Sequence, residues 1–235
     1  MIATYINCLT VIAGSLIGLF LKKLIKEEFK NIIITCGGLV TIVLGIKMSL
    51  ESTNILVLIL ALIAGGLIGA LLKIDTGIYN LGLFLEKKTS KNPKPNEKGK
   101  SEFAKGFITA SLLFCSGAMT IIGSIQAGTT GDYQTLLIKS VMDGFMAIVF
   151  SSTYGIGVIF SAFFVLVYQG FFTLAGGWIE AIIKTEGITE MAAIGGVLLL
   201  MIALDMLDIK KIKTANYLPA LIFSPLFLKL FNLFS

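Results

Sequence analysis

The residues best suited to chemistry lie in one apolar stretch, 107–162. Asp143 sits in the run SVMDGFMAIVF, with Lys139 four residues earlier on the same helical face. A charge at the centre of a bilayer costs roughly 2.5–3.5 kcal/mol on insertion scales, so such a residue faces protein or water and is functional by default. The plainer alternative is a Lys139–Asp143 pair that anchors a helix near the outer interface. Gly144 and Ser140 beside it argue for close packing over lipid exposure. Upstream, Ser116, Thr120 and Ser124 recur every four residues and share a face, with Cys115 and Gln126 near it. Gly117 and Gly123 can break that helix, and unwound backbone in a membrane is tolerated only where protein or a water-filled cavity satisfies it. Downstream, Ser151 and Ser152 open a second polar cluster that runs on through Thr153, Tyr154, Gly155 and Gly157. Taken singly, each hydroxyl is expected to bond its own helix or a neighbour. Taken together with Asp143, they predict two polar, partly broken helices meeting around a small solute or ion, with Asp143 binding a cation or a proton.

The elements that position these residues must be membrane helices. The chain is 56% hydrophobic and only 14% charged, whereas soluble domains carry about 25% charged residues. Its net charge of +5 comes entirely from lysine, and it has no histidine. In an apolar chain that balance reports topology and gives no reason to expect nucleic acid as a partner. Cys8, Cys36 and Cys115 lie in apolar runs at spacings that match no metal motif, and read as small buried hydrophobes. No nucleophile elbow, Walker A loop, zinc-protease motif or CxxC pair is present, so neither enzymatic activity nor a cofactor is expected. The N-terminal apolar run lacks a basic flank and a small-residue cleavage site, and is expected to be a retained helix.

A spanning helix needs about 20 mostly apolar residues. That rule gives about eight candidates, at 2–21, 31–50, 54–73, 106–126, 137–158, 163–182, 190–207 and 215–233. A count of seven, with one segment re-entrant, is the main competitor. With an even count, fifteen of the nineteen lysines fall in loops on one side, around 22–30, 73–105 and 208–214. That side is then the cytoplasm, and both termini are outside. Within it, residues 74–105 read as a linker and 89–105 as a flexible, solvated stretch. A binding arm for anionic lipid heads is the alternative for its lysines.

The flanking segments resemble each other. NCLTVIAG (7–14) pairs with QGFFTLAG (169–176), GGLVTIVLGIK (37–47) with GGVLLLMIALD (195–205), and NILVLILAL (54–62) with NYLPALIFS (216–224). The order is the same in both sets, so helices one to three match helices six to eight. Five helices separate the copies, so they run in opposite directions, as in many secondary transporters. Lys47 and Asp205 become equivalent positions on opposite faces, and are read as gate or ion-pair residues, or as charges that snorkel to the interface. Asn7 and Gln169 become equivalent amides that can reach the central site.

The runs LLFCSGAMTIIGSIQAG, KSVMDGFMAIVFSSTYGIGVIFSA, VLVYQG and NYLPAL are similar to those of a bacterial family of multi-pass membrane proteins known only as a domain of unknown function. The resemblance covers nearly the whole chain and is weakest in 89–105. It implies an inner-membrane location and brings no assigned activity.

The expected fold is therefore all-α, a polytopic integral membrane protein forming a single transmembrane domain over 1–235. Repeat one is 1–73, a cytoplasmic linker 74–105, a polar central pair 106–162 and repeat two 163–235. The expected function is a transporter or channel for a small solute or ion. The alternative is a non-transporting scaffold, sensor or complex subunit. The lipid bilayer is the expected partner, and the pairs Gly14/Gly18 and Gly65/Gly69 permit a homo-oligomer.

Overall fold

The structure, a computed structural model, describes residues 1–22, 27–89, 101–116 and 118–234. Among them there is no β-strand. The described residues form nine α-helices, in order α1 Ile2–Lys22, α2 Glu27–Ser49, α3 Ile55–Leu71, α4 Ile74–Thr89, α5 Glu102–Ser116, α6 Ala118–Thr129, α7 Gln134–Tyr154, α8 Ser161–Met206 and α9 Ala220–Phe234. Short 3-10 turns cover Gly155–Phe160 and Thr214–Tyr217.

Among the described residues four stretches are long and apolar enough to cross a bilayer: Ile2–Lys22, Gln134–Ile179, Thr185–Met206 and Thr214–Leu233. The bent pairs α3–α4 and α5–α6 add two more if each pair is one span. Their outer faces are apolar: Leu9, Phe20, Val43, Leu67 and Phe163 are all more than 60% exposed. Such surfaces are covered by lipid in a membrane protein.

Two reversals set the topology. Asn7 of α1 contacts Asp143, and the next residue, Cys8, bonds the carbonyl of Ala162. A straight helix would put 143 and 162 about 28 Å apart, so the chain turns back between α7 and α8. It does so at Gly155, whose φ of 83° is open to glycine and strained for other residues. Length and hydropathy alone pass Gln134–Ile179 as one span, but this turn divides it. The 46-residue run of α8 reverses as well. Phe160, just before it, packs on Phe103 with the rings tilted, while Asp205 near its end pairs with Lys105, two residues further on. A straight helix would separate them by about 67 Å. The reversal lies between the two apolar halves, which end at Ile179 and begin at Thr185.

The structure departs from the expected linker 74–105 at both ends. α4 occupies its first half and α5 begins at Glu102. The reason is amphipathic spacing: Ile78, Tyr79, Gly82 and Glu86 form one face. Through it Tyr79 Oη accepts the Ser101 N–H at 3.2 Å and Glu86 accepts the Ser101 hydroxyl at 2.5 Å. The Asp75 N–H donates to Asn216 at 2.8 Å. Residues 90–100 of the expected flexible stretch lie outside the described residues.

The small-residue pairs expected to serve packing are used within the chain. A Cβ on Gly14 would lie 2.2 Å from the Gly144 carbonyl oxygen, and one on Gly18 2.3 Å from that of Ile148. A Cβ on Gly65 would lie 2.4 Å from the Ala220 nitrogen, and one on Gly69 1.8 Å from the Asn216 oxygen. These faces are thus spent on α7 and on the start of α9, and are not free for a second copy. Gly14→Ala is expected to force α1 off α7 and cost roughly 1–3 kcal/mol. Gly77→Ala, in open space on α4, is expected to gain up to about 1 kcal/mol from helix propensity. Thermal unfolding in detergent should therefore shift in opposite directions for the two variants.

Candidate functional site

The close approach of α1 to α7 builds the site. It brings Asn7, fully buried, against Asp143, which is 6% exposed. Asn7 Nδ2 donates to Asp143 Oδ2 at 2.9 Å. Lys139, one turn earlier on α7 and 5% exposed, donates to the same oxygen. A lysine, an aspartate and a carboxamide are therefore withdrawn from bulk solvent together. The low-dielectric surroundings strengthen their attraction and make either charge costly if left alone.

Lys139 and Asp143 border a cavity of about 340 Å³. Met48, Met119, Met142 and Met146 supply much of its apolar wall, and Lys47 of α2 and Glu51 of the following turn also line it. Met119 comes from α6, just beyond the break in the α5–α6 pair. There the axes of Glu102–Cys115 and Met119–Thr129 bend by 55°. Thr120 Oγ1 donates across the break to the Phe114 carbonyl at 2.9 Å, satisfying backbone that the bend leaves free.

The other expected site residues divide into three sets. Lys47 is exposed at the cavity edge, and Asp205 pairs with Lys105 at 3.3 Å at the far end of the molecule. The two positions expected to be equivalent do not meet. Ser151 donates to the Ser15 carbonyl at 2.7 Å, Ser152 to the Val149 carbonyl at 2.8 Å, and Gln126 accepts from Thr135 at 3.2 Å. These three act in packing and do not line the cavity. Ser124 and Gln169 are fully buried, and neither Ser124 Oγ nor the Gln169 amide atoms have a partner among the described residues. The side chain of Ser116 lies outside the described residues.

Sequence reasoning missed Glu190. It is fully buried in α8 and accepts four hydrogen bonds from Ser52, Thr53 and Asn54, at 2.6–3.1 Å. It also missed Lys105 as the partner of Asp205. The available signal for Glu190 was a lone acid opening an otherwise apolar run, ITEMAAIGG.

These features define an all-helical membrane protein with a buried ion pair beside a broken helix. The chain belongs to the family described as protein of unknown function DUF554, whose profile matches residues 2–229. It is similar to the uncharacterized membrane protein YdfK of Bacillus subtilis (strain 168), with 35% identity over 229 residues, 96% of this chain and 94% of that protein. It is also similar to the uncharacterized protein YqgA of Escherichia coli (strain K12), with 27% identity over 221 residues, 94% of this chain and 93% of that one. No solved structure matches.

Proposed function

We propose that this protein is a transporter or channel for a small solute or ion, with Asp143 as its cation- or proton-binding group. The observation that carries the reading is the Lys139–Asp143–Asn7 cluster on a cavity next to the α5–α6 break. A carboxylate whose attracting partner is a lysine one turn away can exchange that partner for an incoming cation. Loading and release are then coupled to the swing of the Lys139 side chain.

An inverted-repeat architecture of eight passes fits this reading. The passes are α1, α2, the α3–α4 pair, the α5–α6 pair, α7, the two halves of α8, and α9. α1 packs on α7 as the first half of α8 packs on α5 and α6. Gly38 lies against Leu207, and Gly196 lies against Ser49. These two contacts exchange under the pairing that equates Gly38 with Gly196, because Ser49 and Leu207 stand at the same separation in the chain. Symmetry of this kind supports an alternating-access device. The lysine distribution supports a bacterial inner-membrane location with both termini outside. Trp178, 83% exposed near the reversal of α8, suits an outer interface.

A second reading, a scaffold or complex subunit that moves nothing, has one observation in its favour: Asp143 Oδ2 already holds two donors, as a structural staple would. Proteoliposomes enclosing a pH-sensitive dye separate the two. Under an imposed sodium or potassium gradient, wild-type vesicles are expected to change internal pH faster than empty ones, and Asp143→Asn is expected to abolish the difference. Equal flux from wild type and Asp143→Asn removes Asp143 from the mechanism. Wild-type vesicles that match empty ones favour the scaffold.

A further inference from the structure

We propose that the pocket between the α8–α9 connection and α3 binds the phosphate of an anionic phospholipid. The connection leaves α8 through Asp208, whose φ is 53°. The Ile209 and Lys210 N–H groups both donate to the Leu204 carbonyl, at 3.0 and 3.3 Å, which fixes the tight turn. Three cations follow within four residues, Lys210, Lys211 and Lys213. All three are exposed, and none forms an ion pair among the described residues.

They border one cavity of about 310 Å³ together with Asn216 and Tyr217. No carboxylate lines it. Two acids, Asp75 and Asp205, line the adjoining cavity of about 250 Å³ with Lys105, Lys211 and Lys213, and Asp205 is paired with Lys105 at 3.3 Å. Asp208 is exposed in the turn itself. The pocket itself therefore presents three ammonium groups and no carboxylate, the charge pattern that a phosphate diester complements.

The rest of the pocket wall selects a lipid over a free anion. Gly66 and Ala70 of α3 and Met201 of α8 make it apolar, and the Tyr217 ring packs on Gly66. Beside it, Leu71, Leu72 and Ile209 are 81%, 68% and 65% exposed. Cations next to a naked apolar rim at helix ends match a headgroup above its acyl chains. The site is separate from the Asp143 cavity, and the proposal does not depend on transport.

The test is native mass spectrometry of the full chain in detergent, titrated with phosphatidylglycerol, phosphatidylcholine or glycerol phosphate. Phosphatidylglycerol is expected to bind well above phosphatidylcholine. The triple variant Lys210→Gln, Lys211→Gln, Lys213→Gln is expected to weaken it roughly 100-fold, at about 1 kcal/mol per lysine and 1.4 kcal/mol per tenfold. The triple Lys→Arg variant should keep the preference, which separates lost binding from lost folding. Lys87→Gln with Lys88→Gln, on the exposed end of α4, should leave it unchanged. The proposal is overturned by equal binding of the two lipids, by equal losses in the two glutamine variants, or by glycerol phosphate binding as tightly as the lipid.

Discussion

Lys139→Ala is expected to lower stability by about 3–5 kcal/mol, because it leaves a buried carboxylate without its countercharge. Asp143 would retain only the Asn7 amide at 2.9 Å, and one neutral donor does not replace an ammonium group in a site 6% exposed. Asp143→Ala should cost a similar amount, now stranding Lys139. The double variant Lys139→Met, Asp143→Asn removes both charges, keeps the volume and leaves Asn7 an acceptor. It is expected to come close to wild type or exceed it, since the desolvation of both ions is no longer paid. Unfolding in mixed detergent of wild type, Lys139→Met, Asp143→Asn and the double variant, analysed as a double-mutant cycle, should give a coupling energy well above 1 kcal/mol. A Lys139→Ala variant within about 1 kcal/mol of wild type would mean that water reaches the pair freely. The stable double variant also isolates function: under the transport reading it folds and passes nothing.

That pair was legible in the sequence, and the reason is physical. An acid inside an apolar run has few tolerable surroundings, and a lysine one helical turn away is the nearest of them. The glycines were legible for a similar reason. Gly14 and Gly18 mark a face that admits another backbone, although the sequence does not say that the backbone is α7. The polar hydroxyls were less informative. Ser124 and Thr120 share a helical face and are both fully buried, yet Thr120 repairs a broken backbone while Ser124 has no partner among the described residues. A hydroxyl bonds equally well to its own helix, a neighbour or a solute, so spacing alone does not assign it. Asp205 shows a further limit. The proposed repeat pairs it with Lys47, but its ion-pair partner Lys105 depends on where α5 starts. That boundary was hidden in a segment whose lysines and prolines suggested only solvated chain. The amphipathic face of α4 was also present there, in Ile78, Tyr79, Gly82 and Glu86, masked by the high charge that follows it.

The partners of Glu190 were legible only in three dimensions, and its removal is the second large effect expected. Its Oε1 accepts the Thr53 N–H at 2.6 Å, the Thr53 hydroxyl at 2.8 Å and the Asn54 N–H at 3.1 Å, while Oε2 accepts the Ser52 hydroxyl at 2.8 Å. Asn54 in turn caps α3 through the Leu56 and Val57 amides, so a buried carboxylate stands at the positive end of that helix. Bonds to a charged acceptor contribute about 1.5–3 kcal/mol each, and donors left buried cost about 1–3 kcal/mol. Glu190→Ala is therefore expected to cost about 3–5 kcal/mol, in the range reserved for broken buried networks. Glu190→Gln should cost about 2 kcal/mol, because its NH2 group must face a donor. Ser52→Ala, which removes one donor of the four, should cost about 1 kcal/mol. Hydrogen exchange gives the local readout: in Glu190→Ala the Thr53 and Asn54 amides should lose protection while those in the body of α1 keep it. A Glu190→Ala protein within 1 kcal/mol of wild type, with Thr53 and Asn54 still protected, would show that the α2–α3 turn holds itself. Glu190 ties the second half of α8 to the turn between α2 and α3. Those elements must then move as one body, and any change of access at Asp143 has to come from α1 and α7 sliding against them.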